Sequence, residues 1–151
     1  MAMIDPIFKE QIVDVLRDVV RIDTSNPPGN ETAAAEYLAG LLTPAGIETE
    51  VVESAAGRGN LIACLPGSGE GKPLMLMGHL DVVPADASEW RYPPFAAEVH
   101  NGMMWGRGTT DMKNMVAAEA VTILALASLD QPLKRDVLLV ATADEERGGH
   151  R

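Results

Sequence analysis

Two apolar runs constrain this chain most, Leu74-Met75-Leu76-Met77 and the central part of DVLLVAT from Asp136 to Thr142, because neither alternates with polar residues. Such a run reads as a strand covered on both faces, although a short buried helix has the same pattern. Between them lies a helical stretch with Met112, Met115, Val116, Ala120, Ile123, Leu124 and Ala127 on one side. Strand, crossover helix and strand predict a parallel unit. Each run ends in ionisable side chains: His79 and Asp81 in MGHLDVVP, then Asp144, Glu145 and Glu146 in ATADEERGG. The carboxyl ends of neighbouring parallel strands share one edge, where ligands usually bind. Asp111, after GRGTT, reaches the same edge if the crossover helix starts near it.

The rest of the chain supplies the layers around that unit. Asp5 can cap a first helix with Pro6 in its first turn, and Phe8, Ile12, Val15, Leu16, Val19 and Ile22 recur at three- and four-residue spacing. Ser25 to Gly29 (SNPPG) ends it, because two prolines cannot continue a helix. A second helix is expected from Asn30 through Ala34, Leu38, Leu41 and Leu42, stopping at Gly46. Ile47 to Glu53 and Asn60 to Leu65 read as strands, and Pro84 to Gly108 as a long excursion with a small hairpin whose arms are Val99 and Met103 to Trp105. The expectation is an α/β fold with a mostly parallel mixed sheet flanked by helices. At 151 residues and 46% hydrophobic, one domain can bury roughly 70% of its unfolded surface, with a core of aliphatic residues because aromatics are only 4%.

Composition excludes several partners. With 12 basic and 22 acidic residues the formal charge is −10, which repels phosphate backbones and anionic lipid, so neither nucleic acid nor membrane is expected. No run approaches the roughly 18 to 20 apolar residues of a membrane helix, and no export signal is visible. The single cysteine, Cys64, excludes an internal disulfide and favours a reducing compartment, so a cytoplasmic location is expected.

The three polar clusters admit both bland and chemical readings. His79 and Asp81 stand two apart, which suits a metal-bound imidazole whose other nitrogen meets a carboxylate, or a hydrogen-bonded core histidine beside a turn. Thr110 or Asp111 can be a helix cap. The segment GRG lacks the spacing of a phosphate-binding loop, so phosphate binding is discounted. Asp144 to Glu146 can be a solvated acidic turn, yet three adjacent carboxylates beside a buried strand repel one another unless a cation or protons offset them. A divalent metal resolves that conflict, with one glutamate as ligand and its neighbour as base.

The segments MGHLDVVP, GRGTTDMKN and ATADEERGG, with RIDTSNPPGNE and GRGNLIACLPG, resemble the co-catalytic zinc amidohydrolase and exopeptidase family that contains aminoacylase, acetylornithine deacetylase, succinyl-diaminopimelate desuccinylase and carboxypeptidase G. The resemblance implies that His79 binds one zinc, Asp111 bridges two, and Glu146 binds the other. It implies further that Asp81 orients His79, that Glu145 is the general base, and that the Asp111-Met112 peptide is often cis. Cobalt or manganese could replace zinc in such a site. Thr110 and Asn114 stand where smaller residues are common in the family.

Family members are more than twice this length, so residues 1–151 are expected to be the amino-terminal portion of the catalytic domain, without the inserted smaller domain or the remaining metal ligands. Neither His100 nor His150 is assigned as a substitute. The implied activity is hydrolysis of an amide bond in an N-acyl amino acid or small peptide, with weak zinc binding and little turnover by these residues alone. The competing reading is a non-catalytic chain that associates with itself or with a complementary chain through an exposed sheet edge.

Overall fold

The computed structural model describes residues 6–148. Asp5 and His150 lie outside the described residues. Helix α1 spans Pro6–Arg21 and α2 spans Glu31–Leu42, followed by a 3-10 turn, Thr43–Ala45. Gly46 then adopts φ 78°, a left-handed geometry that ends the helical path where the sequence placed the stop. Strands β1 (Glu48–Glu53), β2 (Gly59–Leu65) and β3 (Leu74–His79) follow, then the hairpin of β4 (Glu98–His100) and β5 (Met103–Trp105). A second 3-10 turn, Ala87–Glu89, precedes that hairpin, and helix α3 (Lys113–Ala127) and β6 (Val137–Thr142) complete the described elements.

The main sheet has the order β1-β2-β6-β3. The predicted parallel unit is present, with Leu74 opposite Val137 and His79 opposite Thr142. The pairings of β1 with β2 and of β2 with β6 are antiparallel, so this is a mixed sheet in which one of the three pairings is parallel, not a mostly parallel one. For β1 and β2 the cause is the short glycine-containing loop between them, which permits only a hairpin.

One face of the sheet is the core. Leu61, Ala63, Leu139 and Ala141 are buried there against Ala34, Ala35, Leu38 and Leu42 of α2 and Val116, Ala117, Ala120 and Ile123 of α3. Each fully buried Leu, Ile or Val side chain stabilises the fold by roughly 1.5–3 kcal/mol, the alanines less. Helix α1 packs on α3 through Val15 and Val19. Lys113, fully buried, ties these two helices together: its ammonium donates to the carbonyls of Val19 and Ile22, both at 2.8 Å, satisfying acceptors at the end of α1. Burial lowers its pKa to about 8.

The opposite face departs from expectation. Met75 and Met77 are 55% and 57% exposed, and Ile62, in register with Met77 across Val140, is exposed on the same face. The run 74–77 is therefore apolar on both sides yet covered on one, because every described helix that packs on the sheet does so through the other face. Met115, expected on the buried side of α3, is also exposed, since Val116, Ala120 and Ile123 set the inward stripe.

Candidate metal centre

Local pairing brings four segments to the carboxyl ends of β3 and β6. The chain after α1 runs beside the continuation of β3: Asn26 N–H donates to Val82 O at 2.8 Å, Val82 N–H to Thr24 O at 3.2 Å, and the Thr24 hydroxyl to Leu80 O at 2.7 Å. Leu80 turns into the core, so His79 and Asp81 share the other side, as their two-residue spacing predicts. The segment Glu145 to Gly148 is a turn closed by Gly148 N–H donating to Glu145 O at 2.8 Å. Asp111 precedes α3 with a cis peptide to Met112. It is not the helix cap: Met112 holds that position with no side-chain cap, and the Asp111 side chain is 76% exposed.

His79, Asp111 and Glu146 converge, each offering a ligand atom within 4.8 Å of the others. His79 Nε2 lies 3.2 Å from Asp111 Oδ1 and 3.8 Å from Glu145 Oε2. Two donors on one tetrahedral zinc at about 2.0–2.1 Å stand roughly 3.3 Å apart, so the histidine–aspartate spacing fits a shared ion. The other ring nitrogen is committed: Nδ1 is 2.9 Å from the Asp81 backbone carbonyl and 3.4 Å from its carboxylate. A carbonyl can only accept, so Nδ1 carries the proton and Nε2 is the atom aimed at the cluster.

Asp81 is fully buried and holds more than the histidine. It accepts the backbone N–H groups of Glu145 at 3.1 Å and Glu146 at 3.0 Å, and an Asn26 amide hydrogen at 2.8 Å. Burial alone would raise its pKa, but the bonds from His79, Asn26 and the two amides outweigh it and hold the carboxyl well below the usual range. The Asp81 carboxylate in turn raises the pKa of His79 to about 9, helped by its backbone carbonyl and by Asp111, against the opposing effect of burial. The Glu146 carboxyl is pushed up by burial and by neighbouring Asp111, Asp81 and Glu145, with His79 opposing. This is an acidic cluster that a cation would relieve.

Every residue singled out from sequence for this edge is found there, but Asp144 does not join the cluster. It is paired with Arg58 and accepts from Asn26 at 2.8 Å. Arg58 also contacts buried Glu31 at 3.0 Å and donates to Pro28 O at 2.9 Å. Gly29, with φ 86°, permits that approach, because a Cβ there would overlap the guanidinium. Sequence reading did not single out Asn26, Glu31 or Arg58. The only signal was the polar run SNPPGNE and the GRGN segment, whose side chains meet in the Arg58–Glu31 ion pair.

The model of the peptidase family M20/M25/M40 matches residues 75–151. A probable succinyl-diaminopimelate desuccinylase of Staphylococcus aureus is 35% identical over 141 residues, 92% of this chain and 34% of that protein. The succinyl-diaminopimelate desuccinylase of Roseobacter denitrificans is 37% identical over 97% of this chain and 36% of its own length. The chain thus spans about a third of the curated relatives it matches. Among solved structures, the M20 family metallo-carboxypeptidase Sso-CP2 of Sulfolobus solfataricus superimposes with a TM-score of 0.79 at 25% identity, over 91% of this chain and 32% of that one. No described helix is long and apolar enough to cross a membrane.

Proposed function

Because this chain belongs to the peptidase family M20/M25/M40, we propose that its residues carry part of a metal-dependent amide hydrolase centre acting on an N-acyl amino acid or small peptide. The observation that carries the reading is the convergence of His79, Asp111 and Glu146 with ligand atoms within 4.8 Å. The resemblance adds that two ions are shared through Asp111, that the remaining ligands come from the rest of the catalytic domain, which also carries an inserted smaller domain, and that zinc is the metal. Bound there, divalent ions would polarise the scissile carbonyl and acidify water.

The chain's own residues divide the work. Asp81 fixes the His79 ring through its carbonyl and carboxylate, keeping Nε2 directed at the cluster. Glu145 is the proton carrier, taking a proton from the attacking water and delivering it to the leaving nitrogen; its carboxylate is 62% exposed and 3.8 Å from His79, within reach of a substrate. The relatives named desuccinylases favour an N-succinyl amine as the acyl substrate. A zinc titration by calorimetry, with hydrolysis of N-succinyl and N-acetyl amino acids as the second readout, tests this reading. Zinc binding that is lost in His79→Ala supports it, and no zinc binding by the unaltered chain refutes it. Little turnover by residues 1–151 alone is expected, since a reactive site needs its full ligand set.

A second reading is favoured by one observation, the exposed Met75, Met77 and Ile62 on the uncovered sheet face that includes edge strand β3. Such a surface promotes association with a second copy or a complementary chain, which light scattering detects as a mass above that of the monomer.

A further inference from the structure

The polar network behind the candidate ligands is as well built as the cluster itself. One amide, that of Asn26, spends both its hydrogens on carboxylates, donating to Asp81 Oδ2 and to Asp144 Oδ1, each at 2.8 Å. Carboxylates accept and do not donate when ionised, so the amide orientation is fixed by its partners. Without that bridge, two carboxylates brought to either side of one amide would repel across a buried site. The negative charge is balanced from behind: Arg58 pairs with Asp144 and, at 3.0 Å, with Glu31, whose side chain is fully buried. Asp81, held in this way, accepts the backbone N–H groups of Glu145 and Glu146.

We propose that Asn26 is a positioning residue, whose amide clamps Asp81 to Asp144 and through Asp81 fixes the turn that presents Glu145 and Glu146, with Arg58 and Glu31 as its charge-balancing anchor. The inference rests on the proposed metal centre for its purpose but not for its geometry. It accounts for why Asp144, adjacent in sequence to the ligand segment, points away from the cluster and into a buried ion pair. It also gives a role to the Ser25–Val82 bridge, which brings Asn26 alongside Asp81.

Amide hydrogen exchange on the 15N-labelled, metal-free chain, compared between wild type and Asn26→Ala, tests the clamp. Exchange at Glu145 and Glu146 should quicken by about tenfold or more, while Leu139 in the β2–β6 ladder stays within about twofold. Zinc affinity, measured by competition with a chromophoric chelator, should fall about tenfold, with partial recovery in Asn26→Ser, which restores one donor. If Asn26→Ala does not fold, Arg58→Lys keeps the charge, removes the forked donor geometry and is read in the same way. Wild type supplies a check without any variant: both side-chain amide hydrogens of Asn26 should be protected from solvent. Unchanged exchange at Glu145 and Glu146, an unchanged zinc affinity in folded Asn26→Ala, or unprotected Asn26 amide hydrogens would overturn the proposal. Because exchange is read without metal, a wild-type chain that binds no zinc contradicts the proposed function, and the clamp is still decided by exchange.

Discussion

The carboxylate of Asp81 accepts the backbone N–H of Glu146 at 3.0 Å, so an aspartate just beyond β3 sets the position of a glutamate that follows β6. Two strands paired in parallel thus share one polar anchor at their carboxyl ends. Asp81→Ala removes that anchor together with the support of the His79 ring. Zinc affinity is expected to drop by about 10–100-fold, the usual cost of losing an outer-shell partner. A competition titration checks it, and an affinity within about twofold of wild type would contradict the role.

Proton competition gives zinc binding a defined pH dependence. With its pKa raised to about 9, the His79 ring of the metal-free chain is protonated at neutral pH, and a metal must displace that proton. Zinc affinity is therefore expected to rise with pH up to about 9 and then level off, with proton release on binding near pH 7.5. Stability of the metal-free chain runs the other way. The contribution of a group whose folded pKa is raised is complete below its unfolded value of about 6.5 and is lost as pH climbs through the folded one. Calorimetry in buffers of different ionisation enthalpy measures the proton count directly.

The adjacent glutamates should separate in a binding experiment. Glu146 belongs to the convergent set, whereas Glu145 approaches His79 only to 3.8 Å. Glu146→Gln is expected to weaken zinc by more than about tenfold and Glu145→Gln by less than about threefold. Equal losses in the two variants would argue against assigning one as ligand and the other as base.

The core prediction is independent of metal. Leu139 is fully buried at the centre of β6, flanked by Ala63 on β2 and Leu76 on β3. Leu139→Ala should cost about 2–5 kcal/mol in urea unfolding, through lost transfer energy and the cavity left behind.

The uncovered face carries its own expectation. Replacing Met75 and Met77 by lysine puts charge on exposed positions and should lower self-association without a large change in stability. Sedimentation of both forms over a concentration series reads the difference, and equal association would assign it to another surface.

Much of the fold was legible because local signals are strong where one residue must satisfy one backbone need. Gly46 ends a helical path, Pro27 and Pro28 break another, and the unalternated run 137–141 is the strand flanked on both sides within the sheet. The run 74–77 misled because apolar composition reports what a strand is built to bury, and it cannot say which face the described elements cover. The convergence of His79, Asp111 and Glu146 was readable because they stand at the end of β3, just before α3 and just after β6. Asn26, Glu31 and Arg58 were not, because an asparagine in a proline-rich loop and an arginine in a hairpin carry no periodic signature, and their contacts form only after β2, β3 and β6 align.

The most direct test of the metal centre is anomalous diffraction at the zinc edge from crystals of this chain soaked in zinc. The account predicts a peak within bonding distance, about 2.0–2.2 Å, of His79 Nε2 and a carboxylate oxygen of Asp111 or Glu146. An empty map at that position, with those three side chains turned to solvent, would contradict it.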